Sequence, residues 1–300
     1  MKSVCFLLGV VLSCTAWSQA SHARSVFVIN SINCCSYDDS LRGFEASLDA
    51  KIIQVCLAEN NDHAGILETI RQIAPDLIAA VGSTAAHFSA RHISTIPIVY
   101  FMVMNPDDEL LQSKNTQGVI LNQNPALMLD MLTSLHVGAE RIGTLSSDSM
   151  ENAFAMRHLQ QAVEKEGLSL KIGRVGSKLD SIDAITQLVK SSDAIILLPD
   201  RMAISARSFR QMVEICRQHR VPLLVPTGLF VKLGGLASFA HDAADLGHQA
   251  AEMANRILDG DAVQKVEYPR HNQLVLNRTT VKWNRLRLPR SLQQGAKLYD

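Results

Sequence analysis

The chain has 300 residues, of which 47% are hydrophobic, 5% aromatic and 19% charged, with 29 basic and 29 acidic residues. This composition is typical of α/β proteins long enough for two domains, and it excludes disordered and fibrous classes. Because the net charge is zero and no long basic run occurs, we expect no nucleic-acid partner. No stretch beyond the N-terminal region is apolar over the length needed to span a bilayer.

The N-terminal segment differs from the rest of the chain. Lys2 precedes an apolar stretch that ends at Trp17, and two segments with small residues at both ends follow, Ser18-Gln19-Ala20 and Ser21-His22-Ala23. A basic start, a short apolar core and small residues at the cleavage position are typical of a secretory signal peptide, which we place at 1–23. We therefore expect a periplasmic protein. The alternatives are a buried first strand and lipid anchoring through Cys14.

After this segment, short apolar runs alternate with segments of helical periodicity. The apolar runs predict strands at 25–31, 51–57, 77–82, 97–103, 118–122, 141–145, 168–175, 194–198, 221–225, 236–239 and 274–277. The segments between them predict helices at about 39–49, 62–73, 84–92, 126–136, 151–166, 181–190, 204–218 and 245–258. Regular alternation of this kind predicts an α/β fold with a doubly wound parallel sheet.

One pattern occurs twice. Each copy consists of an aspartate, an apolar run, a helical segment and a hydrophobic-Pro pair that opens a second apolar run; the copies begin at Asp76 and Asp193. Continuous apolar runs are typical of strands buried on both faces. We therefore predict two Rossmann-like lobes with a cleft between them. The first lobe would comprise 24–122 plus about 240–300, and the second 123–239.

Small polar side chains follow several predicted strands, where open α/β sheets bind ligands. These residues are Ser83, Thr84, Asn105, Ser147, Asn152 and Asp200. Ser83 and Thr84 open a helix, and free N–H groups with two hydroxyls suit a carboxylate; the alternative is ordinary helix capping. Asp200 is placed to pair with a ligand ammonium, or else to cap the next helix.

Four cysteines follow the signal peptide. Cys34 and Cys35 come after the first predicted strand and Cys56 closes the second, so either member of the pair is a candidate for a disulfide with Cys56. The alternative is that all four, including Cys216, are free thiols.

Catalytic signatures are missing from the sequence. It contains no GxGxxG or GxxxxGK[ST] phosphate cradle, no GxSxG nucleophile motif, and no HExxH or CxxC metal spacing. We therefore expect a binding protein without enzymatic activity, cofactor or metal. A hydrolytic α/β enzyme is the least favoured alternative.

The chain resembles the solute-binding proteins of ABC transporters with the type I periplasmic binding fold, in the subgroup that includes tryptophan and tyrosine binders. The likeness rests on 75–83 (PDLIAAVGS), 96–99 (IPIV) leading to Asn105-Pro106, 118–119 (GV), 141–143 (RIG), 198–200 (LPD), 221–223 (VPL), 234–238 (GGLAS) with Asp242, and 276–292. Two positions depart from the common pattern: Asn105 stands where many members have Asp, and Ala243 replaces an aromatic residue.

The resemblance implies a monomeric receptor that captures a small polar solute, such as an amino acid, between two hinged lobes and passes it to a membrane permease. It further implies that Ser83 contacts a ligand carboxylate, that Asp200 contacts the ligand amine, and that Ser147, Asn152 and Thr227 line the matching loops. A sensory protein of the same fold, docking on a receptor kinase or cyclase, is the alternative.

Overall fold

A computed structural model describes residues 23–59, 62–106, 109–147, 152–177 and 180–300. Apart from Ala23, the predicted signal peptide with Cys14 lies outside the described residues, and its prediction stays untested.

The secondary structure alternates along the chain as the apolar pattern predicts. The strands are β1 (Ser25–Asn30), β2 (Lys51–Cys56), β3 (Leu77–Val81), β4 (Ile98–Val103), β5 (Thr116–Ile120), β6 (Arg141–Ser147), β7 (Ser169–Val175), β8 (Ala194–Ile196), β9 (Leu223–Leu224), β10 (Ala237–Ala240), β11 (Val266–Glu267), β12 (Gln273–Asn277) and β13 (Lys297–Tyr299). The helices are α1 (Cys35–Ser47), α2 (His63–Ile73), α3 (Ser83–His92), α4 (Pro125–Ser134), α5 (Ala153–Lys165), α6 (Asp180–Ser191), α7 (Ala206–His219), α8 (Gly228–Lys232), α9 (Ala243–Leu258), α10 (Arg278–Trp283) and α11 (Arg290–Gly295).

The strands form two separate sheets, one in each lobe. The first has the order β11-β5-β4-β3-β1-β2, and the second has the order β13-β12-β10-β9-β8-β6-β7. Every pairing is parallel except that of β10 with β12. Apolar clusters cover both faces of each sheet, which explains why the strands read as continuous apolar runs. The predicted α/β fold with two parallel-sheet lobes is confirmed.

Helix α1 begins four residues before the predicted start at 39. The backbone N–H groups of Tyr37 and Asp38 both donate to the carbonyl of Cys34, so the polar segment after Cys34 already turns as helix. The first turns of α1 consist of polar residues, and the buried apolar residues of the helix begin only at Leu41. This is why the periodicity places the start of the helix too late.

The repeated aspartates have the same structural role in both lobes. Asp76 precedes β3 and accepts a hydrogen bond from the backbone N–H of Ser25, at the start of β1, at 2.8 Å. Asp193 precedes β8 and accepts one from the backbone N–H of Arg141, at the start of β6, also at 2.8 Å. Each carboxylate therefore joins the amino ends of two neighbouring parallel strands, which accounts for the duplicated residue.

Asp193 also forms an ion pair of 2.6 Å with the Arg141 guanidinium. The hydrogen bond from Arg141 lowers the pKa of the Asp193 carboxyl from 3.8 to about 2, against the opposing effect of burial. Because the folded pKa is depressed, the stabilisation is complete above the unfolded pKa and is lost as the pH falls from about 4 to about 2.

We expect Asp193→Asn to lower the free energy of unfolding by about 1–2 kcal/mol at neutral pH, after allowance for partial solvent exposure. Urea unfolding of wild type and variant should show this difference shrinking towards zero near pH 2. The exposed Asp183 of α6 provides a control, and Asp183→Asn should give no such pH-dependent difference. If the difference in unfolding free energy between wild type and Asp193→Asn persisted at the lowest pH, the stabilising role of the Asp193 carboxylate would be contradicted.

The C-terminal tail departs from the prediction. We expected all of about 240–300 in the first lobe, and α9 and β11 do pack there. However, β12 pairs with β10 and β13 pairs with β12, so the last 30 residues complete the second sheet. The reason is that Leu274 and Leu276 bury their side chains against the second-lobe core, and their alternation does not specify which sheet receives them.

The first lobe depends on a close contact between α1 and α9. Gly43 and Gly247 lie where the helices meet, and an ideal Cβ on Gly247 would stand 1.8 Å from the carbonyl oxygen of Ser40. Phe44 of α1 stacks on Phe101 of β4 beneath this crossing. The two glycines therefore allow the helices to approach at backbone distance.

The four cysteines in the described residues are free thiols. Cys34 is half-buried, Cys35 exposed and Cys56 buried, and no bond joins them in this structure; their pairing in exported, oxidised protein stays a prediction. Burial raises the pKa of the Cys216 thiol to about 12, so this cysteine is unreactive.

Candidate ligand-binding cleft

The predicted site residues follow strands of both sheets, at the carboxyl ends. Ser83 and Thr84 follow β3, Asn105 follows β4, Ser147 ends β6, Asn152 precedes α5, Asp200 follows β8 and Thr227 follows β9. The segment 121–123 leaves the first sheet after β5 and contacts the carboxyl ends of the second. The carboxyl edges of the two sheets therefore meet at this crossover, and we call the space between them the cleft.

Gln123 ties the crossover to the second lobe. Its side-chain amide nitrogen lies 2.6 Å from the carbonyl oxygen of Pro226, 2.9 Å from that of Phe239 and 2.7 Å from the hydroxyl of Ser238. Because two of these groups are carbonyls, the amide orientation is fixed and its oxygen must point away from them. No sequence motif marks this residue, and sequence reasoning missed it.

A cavity of about 270 Å³ lies at the crossover. We call it the hinge cavity. Its walls are mainly apolar and come from Leu121, Met128, Ala155, Leu197, Leu198, Pro199, Pro226, Phe239 and Ala240, with Asn122, Gln123, Thr227, Gly228 and His241 adding polar groups. An apolar pocket with a few polar groups is the usual form of a small-molecule site.

Polar atoms without partners line this cavity. Among the described residues, the buried side-chain oxygens of Asn122 and Gln123 have no hydrogen-bond partner. Neither ring nitrogen of His241 forms a hydrogen bond of good geometry, although Asn272 and the backbone of His271 lie near enough to affect its pKa. Buried polar groups without partners are rare, so these atoms are candidates for ligand contact.

Burial lowers the pKa of His241, and its neighbours only partly oppose this effect. The ring is therefore neutral at pH 7 and offers one donor and one acceptor. The two amide oxygens add further acceptors, so the hinge cavity combines apolar walls with hydrogen-bonding groups that carry no net charge.

The start of α3 is the corresponding feature of the first lobe. Gly82, with φ of 86°, is its N-cap, and Ser31 of the loop after β1 supplies the hydroxyl that accepts from the Ala85 N–H at 2.9 Å. Ser83 and Thr84 are therefore not needed as caps, and both side chains are exposed. This arrangement favours the carboxylate-binding interpretation over simple capping.

Two further polar side chains lie near this helix start and were missed by sequence reasoning. The Tyr37 hydroxyl would stand 2.5 Å from a Cβ on Gly82, so only glycine allows this approach. Burial, and then the neighbouring Cys34, raise the pKa of Tyr37, which keeps its hydroxyl protonated as a donor. Asn30 ends β1 with 1% of its surface exposed, and neither atom of its side-chain amide has a partner among the described residues.

Three predicted residues of the second lobe do come together. The Asp200 carboxylate accepts hydrogen bonds from the Ser147 N–H and hydroxyl, both at 2.8 Å, and from the Asn152 side chain at 2.7 Å. It also accepts from the backbone N–H groups of Met202 and Ala203 at 2.9 and 3.0 Å. All three side chains are buried.

These contacts give Asp200 a structural role, and it is not the cap of the next helix, because the Ser205 side chain caps α7. A carboxylate has about four lone-pair positions, and the donors around Asp200 already occupy them. Asp200 therefore joins the loops after β6 and β8, and it has no free oxygen for the ligand amine that the sequence led us to expect.

The remaining predicted residues are separate from this cluster. Thr227 is exposed and lines the hinge cavity, and its side chain does not cap α8. Asn105 is half-buried in the loop after β4 and does not line that cavity.

Large apolar side chains are exposed along the cleft. Ile32 and Met104 follow β1 and β4 of the first lobe, and Met202 and Leu229 follow β8 and β9 of the second; 38–64% of their surface is exposed. We call these four residues the apolar rim. Exposed apolar groups on facing edges are typical of surfaces that become covered by a ligand or by closure.

Within the described residues, no group of three or more His, Cys, Asp or Glu side chains is placed to hold a metal ion. None of the described helices is long and apolar enough to cross a membrane.

The family described as ABC transporter substrate binding protein matches residues 28–297, which is almost the whole chain. This protein belongs to that family. The family consists of substrate-binding proteins and not of enzymes, and its members are generally extracytoplasmic.

Individual relatives are distant. A tyrosine-binding protein from Clostridioides difficile is 21% identical over 216 residues, which cover 69% of this chain and 62% of the relative. The match thus spans less than two thirds of that relative's length.

The solved structures agree on the fold. A ligand-free, open substrate binding protein from Clostridium difficile has a TM-score of 0.71 at 19% identity, covering 93% of this chain and 99% of that one. An ABC domain in complex with L-Trp from Streptococcus pneumonia has a TM-score of 0.59 at 21% identity, covering 92% and 100%. The chain is similar to these type I periplasmic binding proteins, as the sequence predicted.

Proposed function

We propose that this protein is an exported, monomeric substrate-binding protein that captures an amino acid with an aromatic side chain and delivers it to a membrane permease. The observation that carries the proposal is the hinge cavity, whose apolar walls are combined with neutral hydrogen-bonding groups without partners. The names of two similar proteins, one a tyrosine binder and one solved with L-Trp, agree with it.

The ligand carboxylate would bind at the start of α3. Ser83 and Thr84 expose their hydroxyls there, and Ser31 already satisfies the Ala85 N–H, so the first N–H groups of the helix remain for the ligand. A helix N-terminus favours a negative charge through its dipole and free donors.

The ligand side chain would enter the hinge cavity. Phe239, Leu198 and Pro226 supply apolar surface there, and the 270 Å³ volume suits a group of the size of one aromatic ring with its substituents. The amide oxygens of Asn122 and Gln123 would accept hydrogen bonds from the ligand ammonium, the role that Asp200 is not free to fill.

Thermal unfolding in the presence of single compounds tests the proposal. A ligand at about 100 times its Kd stabilises the folded protein by about 2.7 kcal/mol, which raises Tm by roughly 5–10 °C. We expect tyrosine, tryptophan or phenylalanine to give such a shift and glucose or adenosine to give none. If no amino acid raises Tm while a sugar or nucleoside does, the proposed ligand class is wrong.

A variant of Ser83 tests the carboxylate contact separately. Ser83→Ala should weaken tyrosine binding about tenfold or more in calorimetry, because a hydrogen bond to a carboxylate is charge-assisted and stronger than a neutral one. Tyramine, which lacks the carboxylate, should bind wild type and variant equally. Ser291→Ala, an exposed serine near the start of α11, is the matched control and should change neither affinity. If Ser83→Ala lowered the affinities for tyrosine and tyramine equally, the proposed contact between Ser83 and the ligand carboxylate would be contradicted.

A further inference from the structure

The basic residues of this protein are unevenly distributed. Segments 201–232 and 278–300 hold 12 of the 29 basic residues but only 2 of the 29 acidic ones, although the net charge of the whole chain is zero. All 12 side chains are exposed. Among the described residues only Arg217, with Glu214, and Arg278, with Asp300, have a carboxylate within 4.0 Å.

Seven of these residues gather at one end of the second lobe. Strand β12 runs antiparallel to β10, so α10, which follows it, lies at the amino edge of the parallel strands, opposite the cleft. The hydroxyl of Thr280 binds the carbonyl of Gly234 and thereby fixes α10 beside the start of β10. We call this surface the basic end; it comprises Arg217, Arg220, Lys232, Arg278, Lys282, Arg285 and Lys297.

Aromatic rings lie among these charges. The Arg217 guanidinium carbon is 5.4 Å from the centre of the Trp283 ring, which is 41% exposed. The ammonium groups of Lys232 and Lys297 lie 5.1 and 5.9 Å from the centre of the Tyr299 ring. The first contact joins α7 to α10, and the contact of Lys232 joins α8 to β13; since α10 also packs against β13, the four elements contribute to one surface.

We propose that the basic end binds the surface of an anionic lipid bilayer. Lipid headgroups present many negative charges over an extended surface, which matches basic side chains spread over several elements better than a single acidic pocket would. Indole and phenol rings beside Lys and Arg are favoured at the boundary between headgroups and acyl chains, and here the Trp283 ring is exposed and the Tyr299 ring half-buried. Because this surface is opposite the cleft, bilayer binding leaves the cleft accessible to solute.

Vesicle sedimentation with protein purified after export tests this proposal. We expect the protein to sediment with vesicles of phosphatidylglycerol and phosphatidylcholine but not with phosphatidylcholine alone, and to be released by salt, which screens exposed charges. The triple change Arg278→Gln, Lys282→Gln and Arg285→Gln should weaken binding roughly 100-fold, since each basic residue near such a surface contributes about fivefold. The wavelength of the Trp283 fluorescence emission maximum should shift when the protein binds vesicles. The variant Trp283→Phe provides the blank for this measurement.

The matched control is the triple change Arg42→Gln, Arg71→Gln and Arg91→Gln, which removes three exposed charges from the first lobe. It should leave vesicle binding within about twofold. Failure to sediment with anionic vesicles, equal sedimentation with neutral ones, or an equal loss in the control would overturn the proposal. The proposal would also be overturned if the basic end bound an acidic protein but no vesicles. The amino-acid-induced rise in Tm should be the same in both triple variants, so this test is independent of the proposed ligand.

Discussion

Replacing Asp200 with alanine is expected to lower the free energy of unfolding by about 3–5 kcal/mol, because the change leaves several buried donors without an acceptor. The donors are the backbone N–H groups of Ser147, Met202 and Ala203 and the side chain of Asn152. Urea unfolding measures this loss directly. Asp200→Asn keeps the size of the side chain and one acceptor oxygen, and should therefore give an intermediate loss.

The effect on ligand binding distinguishes the structural role of Asp200 from the one that the sequence predicted. At a temperature where Asp200→Ala remains folded, we expect tyrosine and 3-(4-hydroxyphenyl)propionate, which lacks the amine, to lose affinity to the same modest degree, because the loops rather than a charge contact are altered. Asp130→Ala, which removes an exposed carboxylate of α4, should change neither stability nor affinity. Unchanged stability combined with loss of amine-bearing ligands would restore Asp200 as a direct ligand contact.

Replacing Gly247 with alanine is expected to destabilise the first lobe by about 3 kcal/mol or more. The added Cβ would stand 1.8 Å from the Ser40 carbonyl oxygen and 2.7 Å from the Phe44 backbone nitrogen, and neither backbone atom can move without separating α1 from α9. Helix α9 starts just after His241, which lines the hinge cavity, so a shift of this helix should also weaken solute binding. Calorimetric unfolding and a ligand titration measure the two effects.

Gly295 provides the control for this substitution. An added Cβ there would meet no atom within 4 Å, and the residue lies in the short helix α11. Gly295→Ala should be neutral or stabilise the protein by up to about 1 kcal/mol, because alanine has less freedom in the unfolded chain. A Gly247→Ala protein as stable as Gly295→Ala would show that the two helices do not approach as closely as described.

Local patterns in the sequence predict most of the secondary structure. Side chains close in sequence form the caps of three helices: Asp62 accepts from the N–H of Gly65, Asn124 from that of Ala126, and Asp242 from that of Ala244. The strand boundaries are less predictable. β9 contains only Leu223 and Leu224 of the predicted 221–225, and it starts late because the N–H of Val221 closes the end of α7 on the Cys216 carbonyl.

The candidate site is less visible in the sequence. Ser83 and Thr84 were predicted from their position after a strand, but the residue that frees them from capping, Ser31, is 52 positions away from Ser83. Gln123 and His241 carry no motif, and they become notable only because the fold buries their polar atoms without partners. Asp200 was correctly placed at a strand end, but besides the nearby N–H groups of Met202 and Ala203 its donors are Ser147 and Asn152, more than 45 positions earlier.

The sequence by itself determined that two α/β lobes exist, because continuous apolar runs and helical periodicity report which faces are buried, and the doubled aspartate marks equivalent strands in each lobe. Only the tertiary structure decided which sheet receives the C-terminal strands, which polar atoms satisfy one another and which remain for a ligand. Those outcomes depend on contacts between residues far apart in the chain, and local residue preferences carry no information about such partners.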